Sequence, residues 1–364
     1  MHKIRWFTQT VLLVLTLTFP FLGGCSPVKL SRTPHKNAEH WTTFDPNDYD
    51  IHVETDNKGV TSYHWNRDYR CNDTVVLPYW EWKQIFLGVP IVKGQLNGTD
   101  YPVIFDTGCS PIILISDVHI NKHQLPVLFF SPNDKPNSPG LAIVENLTIG
   151  SLRLENYPCC FSNYSADIRF LGLPAGLTEA IIMPLEIMSA FRYVQYDQIN
   201  QELSFSNTQS FMMKDSSEWM TFPFEITGED IQRIILTIPI EGISTRLFLD
   251  TGGASQLELD NDIIEQLFEK RPELCQTRKG KTKTITPYGS GEKASLKMAV
   301  KNLQFGDTVV KKLTILYDKI PSDKQNPIFQ GTIGIDLFRN TIMVLDFENK
   351  VMRVKKTKKC LFES

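Results

Sequence analysis

Two Asp-Thr-Gly tripeptides hold the residues of this chain best suited to chemistry: Asp106-Thr107-Gly108 and Asp250-Thr251-Gly252. Each closes an apolar run, Val103-Ile104-Phe105 in one case and Leu247-Phe248-Leu249 in the other, of the kind that forms a buried strand. Two carboxylates brought face to face at strand ends repel too strongly for both to ionise, so one keeps a proton while the other remains a base. Such a pair can drive a water onto a carbonyl carbon, and the step calls for no metal, cofactor or covalent intermediate. The threonine hydroxyl is able to bond across to the opposing loop. The glycine permits a turn and leaves its amide close to the carboxylate.

The elements that must position these loops occur twice, in the same order. Val89-Pro90-Ile91-Val92 with Gly94-Gln95-Leu96-Asn97-Gly98 precedes the first motif, and Ile238-Pro239-Ile240-Glu241-Gly242 precedes the second. Ile143 to Gly150 and Met298 to Gly306 are strand-turn patterns in which Gly150 and Gly306 occupy equivalent turns. Ala180 to Met188 and Gly331 to Phe338 form a third pair of apolar blocks, followed by Tyr193-Val194-Gln195-Tyr196-Asp197 and Ile342-Met343-Val344-Leu345-Asp346. The two aspartates lie 144 residues apart by their numbering, enough for one small β-rich unit. Short alternating strands punctuated by Gly, Pro, Asn and Asp predict closed β-barrels. The clearest helix runs from Asp260 to Arg271, with Ile263, Ile264, Leu267 and Phe268 on one face and Pro272 after its end.

The doubled hydrophobic-hydrophobic-Asp-Thr-Gly signature, with a hydrophobic-Gly block and a strand behind it, resembles the pepsin and retropepsin superfamily of aspartic peptidases. The resemblance implies an all-β fold of two pseudo-symmetric, retropepsin-like closed β-barrel lobes with an active-site cleft between them. It implies catalytic roles for Asp106 and Asp250, with Thr107, Gly108, Thr251 and Gly252 holding the dyad through reciprocal threonine bonds. It places a flap tip at Thr286-Pro287-Tyr288-Gly289-Ser290-Gly291, with Tyr288 touching substrate. The chain also departs from the pattern. Cys109 and Gly253 stand where pepsin-like enzymes carry a hydroxyl, and Met183-Pro184 replaces the Ile333-Gly334 of the second half.

Lys3 and Arg5 precede an apolar run from Val11 to Leu22, too short for a stable membrane span, and the run ends in Leu22-Gly23-Gly24-Cys25. This resembles a bacterial lipobox, which implies lipidation of Cys25 and a protein held by its lipid at the cell envelope, on the periplasmic face or outer membrane. The expected organisation is a signal peptide over 1–24, a tether and N-terminal extension over 25–70, a first lobe over 71–210 and a second over 211–364. Trp65, Tyr79, Trp80 and Trp82 read as core-forming aromatics of an added strand or bridge.

With 38 basic and 41 acidic residues, a net charge of -3 and 41% hydrophobic content, the chain lacks the basic stripe of a nucleic-acid partner. Six cysteines remain beside Cys25: Cys71, Cys109, Cys159, Cys160, Cys275 and Cys360. In an oxidising compartment six cysteines leave fifteen pairings open, with Cys159 and Cys160 expected to pair outward and not with each other, and Cys109 reads as a small buried filler. His119 and His123 are four apart, lack a His-Glu-x-x-His frame and read as surface residues. No spacing resembles a zinc site, so neither metal nor cofactor is expected. The leading expectation is a monomeric, membrane-tethered aspartic endopeptidase acting on peptides or proteins. A lipoprotein that captures peptides without turnover and a purely structural envelope protein are the alternatives.

Overall fold

Apolar alternation becomes strand pairing along most of the chain. The computed structural model describes residues 28–30, 45–49, 51–55, 61–65, 71, 73–80, 89–109, 112–129, 140–162, 166–170, 173–174, 179–228, 232–275, 278–286, 289–317 and 328–362. Cys25, the apolar run before it, Trp82 and Tyr288 lie outside them, as does much of the expected tether. No helix among the described residues is long and apolar enough to cross a membrane.

The first half contributes β1 (Val92–Leu96), β2 (Thr99–Asp106), β3 (Ile113–Ser116), β4 (Gly140–Ile149), β5 (Leu152–Ser162) and β6 (Ile181–Pro184). They pair in the order β5-β3-β6-β2-β1-β4, and β4 pairs again with β5, closing a six-strand barrel. The second half contributes β7 (Arg233–Ile240), β8 (Ile243–Asp250), β9 (Leu257–Leu259), β10 (Gly289–Phe305), β11 (Thr308–Tyr317) and β12 (Gly331–Gly334). Their order is β10-β11-β9-β12-β8-β7, and Ile240 of β7 returns to Phe305 of β10. The register repeats as well: β2 and β6 run parallel with Asp106 opposite Pro184, and β8 and β12 run parallel with Asp250 opposite Gly334. Both β1-β2 and β7-β8 turn through two residues of positive φ, Asn97-Gly98 (47° and 77°) and Glu241-Gly242 (49° and 74°), the conformation that matches strand twist in a tight hairpin.

Phe105, Ile113, Leu147 and Ile181 fill the first interior, and Leu249, Leu257, Ile315 and Ile333 the second, all at most 2% exposed. Each such side chain contributes roughly 1.5–3 kcal/mol, so the strands that end in the two aspartates are among the most firmly held parts of the molecule.

The second ring belongs to a larger sheet that continues through Trp219–Thr227, Val351–Lys355, Ile342–Asp346, Tyr193–Asp197, Glu202–Ser206 and Val75–Pro78. At its centre Tyr193–Asp197 lies antiparallel to Ile342–Asp346, with Tyr193 opposite Asp346 and Asp197 opposite Ile342. The same turn follows each strand. Asp197 accepts the amides of Ile199 and Asn200 at 2.9 and 2.8 Å, Asp346 accepts that of Asn349 at 3.0 Å, and the Asn200 and Asn349 side chains donate to the same carboxylates. Both aspartates are nearly inaccessible, at 3% and 1%, and tolerate burial because these donors satisfy them. The Asp-x-x-Asn spelling of this turn is legible in the sequence once the two halves are aligned.

Helix α1 (Asp117–His123) follows β3, and α2 (Asn261–Lys270) follows β9. The second agrees with the apolar periodicity, with Asp260 at its N-cap. The first corrects the reading of His119 as a surface residue, whereas His123 keeps part of its ring exposed. Ser116 caps α1 by accepting the Val118 amide, and the four-residue spacing sets both imidazoles on the face turned to Tyr101. His119 is fully buried, edge-on to Tyr101 at 4.5 Å, and the Tyr101 hydroxyl lies 2.7 Å from His123 Nε2. Burial lowers the His119 pKa to about 4, so it packs as a neutral ring.

Cysteine pairing is also corrected for the described residues: Cys71, Cys109, Cys159, Cys160 and Cys360 are free thiols. Cys159 turns into the first barrel and lies 3.5 Å from the Ala142 carbonyl, which sends its neighbour Cys160 to the opposite face of β5. Tyr79 is buried, and Trp65 and Trp80 pack partly buried against the core as expected of them, Trp65 meeting Tyr157 edge-on at 6.0 Å.

Candidate active site

The two Asp-Thr-Gly loops leave β2 and β8 and meet between the halves. Thr107 Oγ1 donates to the Leu249 carbonyl at 2.6 Å and accepts the Thr251 amide at 3.0 Å. Thr251 Oγ1 does the reciprocal work, donating to the Phe105 carbonyl at 2.8 Å and accepting the Thr107 amide at 3.0 Å. Both threonines are fully buried. Four bonds therefore lock one loop to the other, in a setting where breaking one strands a buried polar group.

The glycines fix how closely the carboxylates approach. A Cβ on Gly252 would fall 2.3 Å from Asp106 Cγ, and one on Gly108 would fall 2.9 Å from Asp250 Oδ1. Each glycine thus lies against the opposite carboxyl group, leaving no room for a side chain. The Gly108 and Gly252 amides both donate to Asp106 Oδ1, at 2.7 and 3.2 Å. Asp106 and Asp250 lie close enough across the two loops for each to shift the other's pKa.

Desolvation is the largest cause raising both carboxyl pKa values, and backbone amides offset part of it on each side, those of Gly108, Gly252 and Cys109 at Asp106 and those of Gly253 and Gly252 at Asp250. Asp250 is raised to about 8 by desolvation first, then by the Asp106 charge and the hydrogen bond to it. The pair therefore keeps a proton to well above the usual carboxylate range. Both residues keep a small exposed part at the junction, although their carboxyl groups lie deep enough for desolvation to be the largest cause of the shift.

Behind the loops the halves match again. Leu185 donates to the Cys109 carbonyl at 2.9 Å, and Ile335 to the Gly253 carbonyl at 3.0 Å. Here the departure at Pro184 takes physical form. Gly334 also donates its amide to the Gln256 carbonyl at 3.2 Å, a bond that Pro184 lacks the N–H to make. A Cβ on Gly334 would fall 2.2 Å from the Ser255 carbonyl oxygen, so the proline in the equivalent place excludes so close an approach in the first half.

Tyr196 belongs to this site and escaped the sequence reading. Its hydroxyl donates to the Phe105 carbonyl at 3.0 Å and lies 3.3 Å from Thr251 Oγ1. Leu345 holds the equivalent place in the second half, so the support is one-sided. A tyrosine where its repeat partner is leucine was the available signal.

Beyond the junction, strand Arg278–Thr286 and the start of β10 form a long hairpin paired as far as Thr286 and Gly289. Tyr288, expected at its tip, lies outside the described residues. Among the described residues no group of three or more His, Cys, Asp or Glu side chains is arranged to hold a metal ion.

No family model and no curated protein matches the chain. Among solved structures it is similar to basic 7S globulin from soybean, at 12% identity and a TM-score of 0.39. It is also similar to conglutin gamma, a basic 7S globulin from lupine seeds, at 12% identity and a TM-score of 0.40. Each comparison covers 78% of this chain and 95% of the other. The strand pairing and the loop geometry define the class: a mainly β protein with a closed six-strand barrel, a second large sheet and two interlocked Asp-Thr-Gly loops.

Proposed function

We propose that the chain is an aspartic-type endopeptidase with two retropepsin-like lobes in one polypeptide, hydrolysing peptide bonds through Asp106, Asp250 and a shared water. The observation that carries this reading is the reciprocal threonine lock, which holds the two Asp-Thr-Gly loops together with each glycine against the opposite carboxyl group. Ionised Asp106 takes a proton from the water as it attacks the peptide carbonyl. Protonated Asp250 donates to the developing oxyanion, and a proton then passes to the departing nitrogen. The proton and charge return to the pair at the end of each turnover, and one chain supplies both carboxylates, so a single chain is enough for the proposed site.

A second reading, peptide capture without turnover, is favoured by a specific feature: the first loop is supported by Pro184, which lacks the N–H that Gly334, in the equivalent place, gives to the Gln256 carbonyl. Cleavage of a mixed peptide library by the purified chain, compared with Asp106→Asn and Asp250→Asn, separates the two. We expect each substitution to lower turnover at least about a thousandfold, since one carboxyl group cannot be acid and base at once, while peptide affinity persists. Peptide binding by the unsubstituted chain, with no new termini at any pH from acid to neutral, would establish the capture reading.

The proposal extends to location. Leu22-Gly23-Gly24-Cys25 supports a lipid anchor at a bacterial envelope membrane. Cys25→Ser should then abolish lipid labelling and release the protein from the membrane fraction; a variant that stays embedded would refute the anchor.

A further inference from the structure

Strand alternation puts Phe248 on the same outward face of β8 as Asp250, and Ile104 on the same face of β2 as Asp106. The neighbouring strands continue each face into a row. In the first half Ile104 lies opposite Ile182, which lies opposite Leu114. In the second half Phe248 lies opposite Thr332, which lies opposite Glu258. The two rows are equivalent position by position, yet one is wholly aliphatic and almost completely covered, while the other is aromatic and polar and every member is partly exposed. The open wall of the dyad is therefore on the second half, and it carries a carboxylate where its counterpart carries leucine.

Glu258 makes no ion pair and no side-chain hydrogen bond among the described residues, although Arg246, on the same strand face as Phe248, is engaged by Glu225 at 2.6 Å. From strand geometry, Glu258 lies about 10 Å across the sheet from Phe248, which lies about 7 Å along β8 from Asp250. That separation suits a lysine or arginine side chain extending from a peptide held at the dyad. Its aliphatic stem would cross the Phe248 ring and its charged head would reach the carboxylate. The ring already supports one cation: the Arg233 guanidinium lies over Phe248 and Phe329 at 5.9 and 6.0 Å.

We infer that Glu258 and Phe248 form a specificity pocket for a basic residue near the bond to be cut, so that the preferred substrates are peptides with Lys or Arg on the side that faces the second half. This rests on the proposed peptidase reading for its catalytic form, but the recognition itself requires only that a peptide lie at the dyad.

The test uses peptides identical except at one position, scanned on each side of the scissile bond with Lys, Arg, norleucine, Gln and Glu. The unsubstituted chain should cleave the Lys or Arg member about tenfold more efficiently than norleucine at one position. The ratio should collapse in Glu258→Gln and invert toward Glu in Glu258→Lys. Cleavage without a basic preference, or a preference unchanged in Glu258→Gln, overturns the inference and leaves the peptidase reading standing. If nothing is cleaved, that reading fails, and the inference is decided by fluorescence anisotropy with labelled Lys and norleucine peptides on the Asp250→Asn chain and on its Glu258→Gln counterpart. Equal affinity for the two peptides, or a Lys preference that survives Glu258→Gln, overturns it there too.

Discussion

Beneath Asp250 the chain runs backbone against backbone; beneath Asp106 a proline ring stands in the same place. Gly334 donates to Gln256 and admits the Ser255 carbonyl where a Cβ would sit, whereas Pro184 does neither. Above, the loops are locked by the same pair of threonine bonds in both directions. The lesson is that pseudo-symmetry is kept where the two halves must meet and relaxed where each half packs on itself. Tyr196 restores on the first side some of what Pro184 gives up, by bonding the Phe105 carbonyl one residue before Asp106.

The largest effect that would test this comparison comes from Gly334→Ala. Its new methyl has only backbone atoms to displace, so the second half should lose about 3 kcal/mol of stability, read from urea unfolding. Pro184→Gly should change stability by less than about 1 kcal/mol, since the gain in unfolded-chain entropy is the main cost. Equal losses for the two would mean that the supports beneath the loops are not different in kind.

A smaller but more diagnostic effect is in pH. Both dyad pKa values in the folded protein lie above the usual carboxylate value of about 4, and Asp250 reaches about 8. Protons bind more tightly to the folded form, so the pair stabilises the fold fully at low pH, and that contribution fades as pH rises from about 4 towards 8. Asp250→Asn removes most of this titration, so the fall in Tm between pH 5 and 8 should be shallower in the variant. Turnover by the unsubstituted protein should be bell-shaped, declining on the alkaline side as Asp250 ionises near pH 8. An alkaline limb centred near pH 4 would mean that the pair holds no proton between those values.

The smallest expected effect sharpens the role of Tyr196. Tyr196→Phe keeps the ring and removes one hydroxyl, and the Phe105 carbonyl still accepts from Thr251 Oγ1. A loss of about 1 kcal/mol is expected, the net worth of one neutral hydrogen bond. An unchanged stability would mean that the Phe105 carbonyl is satisfied without the Tyr196 hydroxyl.

Much of this was legible in the residues. The doubled motif, the shared order of landmarks and the positions of Gly150 and Gly306 all followed from spacing, because strand period and turn chemistry are local properties. The burial of His119 was missed because α1 is short and its apolar face is completed by Tyr101 from another strand. The free thiols were missed because cysteine count says nothing of which faces the strands present.

By itself the sequence determined that two carboxylates end two equivalent buried strands, and that threonine and glycine follow each. Only the tertiary structure decided that the two loops interlock, that Tyr196 serves one side alone, and that the partly exposed strand face beside Asp250 bears Glu258. The physical reason is the reach of the contacts. The bonds from Thr107 to Thr251 and from Tyr196 to Phe105 span 144 and 91 residues, and they depend on how strand Tyr193–Asp197 registers against Ile342–Asp346. Local periodicity sets the face on which a side chain stands, whereas the partner across that face is chosen by the packing of the two halves together.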